Sequence, residues 1–191
     1  MPLHHRDDAP DDELVMRARA GDHAAYGELV RRHQAVALRL AAGICGSTEE
    51  ARDIVQDAFV LGYRSLPRYR GEAPVRSWLL RIVANTAKNS IRSQARRHRR
   101  EDRSMALDRR HDDDPVGDAA TGAEDAASQL AALRTLAAQD REVLAARYIA
   151  GLTEAETAML FGVPVGTVKS RASRALARAR VALETGEVSR G

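Results

Sequence analysis

The sequence predicts an all-α protein of two small helical domains joined by a flexible linker, with a helix-turn-helix in the second. It does so on composition, periodicity and charge. Hydrophobic residues make up 44% of the 191 residues and aromatics only 4%. With Ala and Leu abundant and β-branched runs scarce, that favours helices with small cores over sheets. Apolar residues recur at steps of three and four along much of the chain. Charge changes in a step: from Arg92 to Arg110 there are eight Arg against three acids, and from Asp112 to Asp125 six acids with no Lys or Arg. Among Pro, Gly, Asp and Ala, such a step reads as an exposed linker over 98–127, between domains at 11–97 and 128–185.

The first domain reads as four helices. "DDELVMRARAG" starts acidic and closes on Gly21, as a short helix with a glycine C-cap does. Asp22 caps the next helix, whose stripe is Tyr26, Leu29, Val30, His33, Val36, Ala37, Leu40 and Ala41. His33 belongs to that stripe, so it is expected to pack and not to ligate. Ser47 and Glu50, spaced as a capping box, open the third helix. Its core face is Ala51, Ile54, Val55, Ala58, Phe59 and Gly62, which leaves Asp53, Gln56, Asp57 and Val60 off the stripe. After the loop "PRYRGEAP", the fourth helix points Val75, Trp78, Leu79, Ile82, Val83 and Thr86 inward. At 100° per residue Ser77, Arg81, Lys88, Arg92 and Arg96 fall on the other side, with Asn85 on the flank. No acid occurs from Val75 to Arg100, so an i, i+4 salt-bridged surface is excluded and a polyanion partner is expected.

In the second domain Thr153 and Glu156 form another capping box before a short helix, Gly162, a turn around Val163 and Pro164, and a longer helix. Two helices joined by a tight glycine-containing turn are a helix-turn-helix, whose second helix enters the major groove. On that helix Val165, Val168, Ala172, Ala175, Leu176, Ala179 and Leu183 share one arc. Ser170, Ser173, Arg174 and Ala177 point away, flanked by Lys169 and Arg171. Small polar residues with Arg on the outward face suit base-edge and phosphate contact.

Other classes are set aside. No apolar stretch approaches the roughly 18 residues of a membrane span, and "MPLHHRDDAPDDE" is too charged for a signal peptide. A cytoplasmic protein without membrane insertion is expected. Cys45 stands alone, in apolar surroundings, and reads as a small buried residue. There is no HExxH, GxGxxG, P-loop or GxSxG, and the His are scattered, so neither an enzyme nor a cofactor or metal is expected. A stand-alone helix-turn-helix regulator is the alternative reading.

Three segments, in order and with matching gaps, resemble an extracytoplasmic-function (ECF) RNA polymerase sigma factor of the sigma-70 family, with region 2 and region 4 only. "ARDIVQDAFVLGYRSLPRYRG" resembles the part of region 2 that grips the polymerase clamp helices. "SWLLRIVANTAKNSIRSQARR" resembles the part that opens and reads the promoter −10 element, and residues 136–180 resemble region 4, the −35 reader. The resemblance implies that Asp53, Gln56, Asp57 and Val60 contact polymerase. It implies that Tyr69, Ser77, Arg81, Asn85, Lys88 and Arg92 serve the single-stranded −10 element. It assigns Lys169, Ser170, Arg171, Ser173 and Arg174 to the duplex −35 element. Ser173 departs from the larger apolar or aromatic residue of many members, so no particular −35 sequence carries over. The implied partners are core RNA polymerase (clamp helices and flap), promoter DNA and an anti-sigma factor. Neither a C-terminal sensing extension nor the long N-terminal inhibitory region of housekeeping sigma factors is expected.

Overall fold

A computed structural model describes residues 9–105, 133 and 136–188, with side chains for all of these except 98–105 and 182–188. Among the described residues every regular element is helical. α1 (Asp11–Arg19) sets Asp11, Asp12 and Glu13 against the positive end of its dipole, and the chain turns at Gly21 with φ +97°. Asp22 caps α2 (His23–Cys45), accepting from the Ala25 N–H at 3.1 Å while Arg17 reaches its other oxygen at 2.7 Å. The Arg17 guanidinium, then the Ala25 N–H, hold the Asp22 carboxyl below the usual carboxylate range. Ser47 caps α3 (Thr48–Ser65) through the Glu50 N–H at 3.3 Å. A 3-10 turn (Leu66–Arg68) and a bend at Gly71, φ +74°, lead into α4 (Val75–Met105). Its backbone stays helical beyond residue 97, where no Gly or Pro interrupts the Arg-rich run. The remainder of the expected linker, 106–127, lies outside the described residues.

α2, α3 and α4 pack together around Tyr26, and α1 closes against α2. The Tyr26 hydroxyl donates to the Phe59 carbonyl at 2.5 Å and its ring meets Tyr63 edge-on at 5.1 Å. Burial pushes this phenol up to about 12. Gly62 makes the room: a Cβ there would lie 2.8 Å from the Tyr26 oxygen and 3.2 Å from Leu79 Cδ2. His33 is packed as expected, and its Nε2 shares a hydrogen bond of 2.7 Å with Asp11, tying α1 to α2. Cys45 is buried, with Sγ donating to the Ser47 carbonyl at 3.1 Å.

The second module begins with α5 (Ala138–Leu144), which widens into a π-helical turn (Ala145–Ile149) where the Ala150 N–H reaches back to the Ala145 carbonyl at 2.8 Å. α6 (Glu154–Phe161) and α7 (Val165–Val188) follow. Val143, Ala158, Val168 and Ala172 form the buried cluster among these helices. Leu144, Ala145, Ala146 and Ala150 belong instead to the larger core, together with residues of α2, α3 and α4. Within that larger core the two modules meet at Gly43, where an added Cβ would stand 2.6 Å from Ala145 Cβ and 3.4 Å from Ile149 Cβ. Leu40 to Cys45 are consequently buried on every side of α2.

Gly62→Ala gains helix propensity but collides with the buried Tyr26 oxygen, so it should destabilise the protein by about 1–3 kcal/mol. In a Tyr26→Phe background the same change should cost much less, because the colliding atom is gone. Urea unfolding of the four proteins of this double-mutant cycle reads the coupling. Equal Gly62→Ala costs in both backgrounds would show that Tyr26 is not what the glycine accommodates.

Candidate nucleic-acid and partner interfaces

The first surface is the outer face of α3. Asp53, Gln56, Asp57 and Val60 are all exposed there, one turn apart, because the core takes Ala51, Ile54, Val55, Ala58 and Phe59. Two of them border something the helical wheel does not give. Gln56 and Val60 line an open groove of about 760 Å³ between α2 and α3, with Val30, Leu38, Phe59 and Tyr63 among its walls. Val60 and the neighbouring Leu61 are both 45% exposed. An acidic and amide rim beside an apolar groove can pair with Arg on a partner and bury aliphatic surface at once. The clue in the sequence was Leu38, an apolar residue of α2 left outside its stripe, which borders the groove with Val30 from the stripe's edge.

The second surface is α4 with the loop before it. Tyr69 is half-buried, its hydroxyl donates to the Ala73 carbonyl at 2.7 Å, and its ring leans on Trp78 at 5.0 Å. Burial, then the charges of Asp12 and Asp11, raise its pKa above the ordinary value. A concave site of about 270 Å³ opens beside it, walled by Arg68, Tyr69, Arg70, Glu72, Ala73, Trp78 and Arg81. Two aromatic rings and three guanidinium groups around a small cavity suit an unstacked base with its phosphates. Arg68 and Arg70 join this site through the loop fold, which periodicity does not reach, and Trp78, expected to point inward from α4, is partly exposed and lines it too. Arg81, Asn85 and Arg92 are exposed on α4, and Lys88 is half-buried.

Ser77 is a correction. It is buried, at 7% exposure, and does not stand on the open stripe. The expected stripe assumed a single packing partner for α4, whereas α4 packs against α2, α3 and α6, and Leu80, Ala84 and Ala87 are buried as well. The second module also engages the cations. Arg76 pairs with Glu156. Arg81 donates to the Met159 carbonyl at 2.7 Å. Lys88 reaches Glu142 at 3.3 Å and sits 5.4 Å from the centre of the Phe161 ring.

The third surface is α7. The Thr153 hydroxyl accepts from the Glu156 N–H at 3.2 Å and the Glu156 carboxylate accepts from the Thr153 N–H at 2.8 Å, so the capping box of α6 is complete. Gly162 in the left-handed region, φ +65°, ends α6 and redirects the chain through Pro164 into α7. Val168, Ala172 and Ala175 are buried. Lys169, Ser170, Ser173 and Arg174 are exposed together, with Arg171 half-buried beside them. Lys169 stands 3.6 Å from Glu154, and Arg174 Nε donates to the Ser170 carbonyl at 3.1 Å. Val165 is a second correction: at the first turn of α7 it is 42% exposed instead of packed. Leu183 lies beyond the described side chains.

An α-helical module with a cationic stripe, followed by a capped helix-turn-helix with its own basic face, defines a two-module nucleic-acid-binding protein. Residues 29–97 match the family described as Sigma-70 region 2, and residues 130–178 match Sigma-70, region 4. The chain belongs to the sigma-70 family, in its ECF group. It is 37% identical over 188 residues to the ECF RNA polymerase sigma factor SigM of Mycobacterium tuberculosis, covering 98% of this chain and 89% of that one. It is 32% identical over 172 residues to the RNA polymerase sigma-H factor of Pseudomonas aeruginosa, covering 86% and 89%. Among solved structures it resembles CnrH in complex with the cytosolic domain of CnrY, with a TM-score of 0.67 and 26% identity over 92% of this chain and 97% of that one. It also resembles the sigma factor RpoE bound to the anti-sigma factor NepR from Bartonella quintana, with a TM-score of 0.60 and 25% identity, covering 82% and 97%. A stand-alone helix-turn-helix regulator does not account for the region 2 match. Among the described residues no helix is long and apolar enough to cross a membrane.

Glu156 serves both the α6 cap and the pair with Arg76. Burial opposes its ionisation, yet the Thr153 N–H and hydroxyl, then Arg76, hold its carboxyl below the ordinary value of 4.5. A carboxyl with a lowered folded-state pKa stabilises fully above its unfolded value, and the contribution is lost as pH falls through the folded one. Cap and pair should therefore weaken together below about pH 4.5. Circular dichroism melts on acidification check this: the parent should lose stability more steeply than Glu156→Gln, which has no charge to titrate. Parallel losses would mean that Glu156 contributes nothing to the acid response.

Proposed function

We propose that this chain is an alternative sigma factor of ECF type, which binds core RNA polymerase, directs it to specific promoters and assists melting of the −10 element. Its membership of the family makes it a transcription initiation factor and not a catalyst of covalent chemistry. The observation that carries the reading in this chain is the separation of three faces on two modules: an acidic-amide face on α3, a cationic stripe with an aromatic cavity on α4, and a basic reading face on α7. Asp53, Gln56, Asp57 and Val60 face polymerase. Tyr69 stacks on an unpaired −10 base while Asn85 offers an amide to its edge, and Arg81, Lys88 and Arg92 hold phosphates. Lys169, Ser170, Arg171, Ser173 and Arg174 read the −35 duplex. Tethering makes the second contact effectively intramolecular once the first has formed. The relatives solved with anti-sigma factors support control of this chain by such a partner, in the cytoplasm.

Asp53→Arg with Asp57→Arg leaves the buried stripe of α3 unchanged and reverses the charge offered to polymerase. The double variant should keep its helical dichroism and lose co-purification with core polymerase, and with it promoter-dependent transcription. Undiminished co-purification would place the polymerase contact elsewhere.

If Arg174 makes a bidentate base contact, Arg174→Ala should lose about 1–3 kcal/mol at one or two −35 positions and little at the others. Lys169→Ala should weaken all promoters alike and lower the salt slope by about one counterion. Transcription from −35 variants at two salt concentrations separates the two effects. Unchanged transcription by both variants on every promoter would remove α7 as the reader.

A further inference from the structure

The exposed face of α7 begins one turn before Lys169. At 100° per residue Val165, Lys169 and Ser173 form one row, and Gly166, Ser170 and Arg174 form a second row beside it. All six are exposed, while Val168, Ala172 and Ala175 take the buried side of the helix. Val165 carries the one apolar side chain of the two rows, and it stands 42% exposed. A single exposed valine is ordinary on a protein surface, but its place here is not. The opening turn of the second helix of a helix-turn-helix is where side chains meet base edges. Gly166 adds an independent observation: a Cβ there would meet open space, so no packing within the chain calls for a glycine, although glycine is a poor helix former. A missing side chain at that point lets the backbone of another molecule come close.

In the major groove every base pair shows its own donors and acceptors, and thymine alone adds a C5-methyl group. Lys, Arg and Ser address the donors and acceptors, whereas covering the methyl takes an apolar group. We propose that Val165 is a specificity-determining residue of the −35 contact, packing its isopropyl group on the C5-methyl of one thymine while Gly166 leaves room for the strand beside it. This rests on the reading of α7 as the −35 helix. Branching at Cβ leaves valine few rotamers, so its two methyl groups are held in place before DNA arrives. The nine residues from Val165 to Arg174 span about 13 Å along the helix axis, or about four base-pair steps. The thymine therefore lies at a different position from the base pair that Arg174 reads.

The test uses core polymerase reconstituted with the full chain, on a promoter that the parent protein selects from a random library. Deoxyuridine replaces thymine one position at a time through both strands of the −35 element, which removes a methyl group and keeps every hydrogen-bonding group. Equilibrium binding is measured for the parent, Val165→Ala and Val165→Ile, with circular dichroism to confirm their folds. For the parent, one replacement should weaken binding about fourfold, the size expected of one buried methyl group. That position should differ from the one sensitive to Arg174→Ala. Val165→Ala should bind the thymine promoter about fourfold more weakly and no longer distinguish thymine from uracil there. Val165→Ile, which keeps the branched carbon, should retain the distinction. The salt slope of Val165→Ala should equal the parent's, because valine displaces no counterion. The inference is overturned by a parent indifferent to uracil at every position, by a −35 element without an A·T pair, or by equal uracil sensitivity in Val165→Ala. Each of these removes Val165 and leaves the sigma reading standing. If no promoter is selected at all, the sigma reading falls and takes this inference with it.

Discussion

The contact between Gly43 and Ala145 is what makes two modules share one core. Among the described residues Val143, Ala158, Val168 and Ala172 form the second module's own small cluster, while Leu144, Ala145, Ala146, Leu160 and Ala175 belong to the core shared with the first module. So small a cluster leaves the second module dependent on a larger neighbour for much of its apolar burial. Close approach is possible because a glycine on one side meets an alanine on the other, and the π-helical turn widens the backbone at that point. The burial of α2 on every side from Leu40 to Cys45, and the engagement of Arg76, Arg81 and Lys88, follow from this placement.

The stripe of α4 shows how one set of side chains can answer to two kinds of partner. It has no acids of its own from Val75 to Arg100, so its cations need counter-charges from elsewhere. Within the folded chain Glu142 and Glu156 supply them. Half-buried ion pairs of this kind are worth little individually in solvent, so the steric fit at Gly43 and the apolar burial around it contribute more to the contact than the charges do. The aromatic cavity by Tyr69 and Trp78 lies at the end of the same stripe, where the loop and not the helix sets the geometry.

Local features were legible in the sequence wherever a single residue type has a single geometric use. Asp22, Ser47 and the Thr153–Glu156 box cap the helices expected of them, and Gly162 takes the left-handed turn of the helix-turn-helix. Exposure of Asp53, Gln56 and Asp57 and of Ser170, Ser173 and Arg174 followed from helical period. Ser77 and Val165 did not, because period describes a helix with one packed face, whereas α4 packs against several helices and Val165 stands exposed at the first turn of α7. The groove beside Val60 and the cavity beside Tyr69 needed distances between elements far apart in sequence. Nothing local to Gly43 or Ala145 announces that they meet.

The capping box has a consequence for protein engineering. Thr153 and Glu156 complete the α6 cap within four consecutive residues, so a transplanted segment spanning α5 to α7 carries its own helix start with it. What it does not carry is its seat. A chimera that joins this segment to another first module inherits the docked arrangement only if the recipient offers a glycine, or comparable space, opposite Ala145, and cations opposite Glu142 and Glu156. Recipients with a bulky residue at that point would yield hybrids whose halves are parted from the outset, so the size of one side chain decides whether the two halves of a hybrid travel as one body.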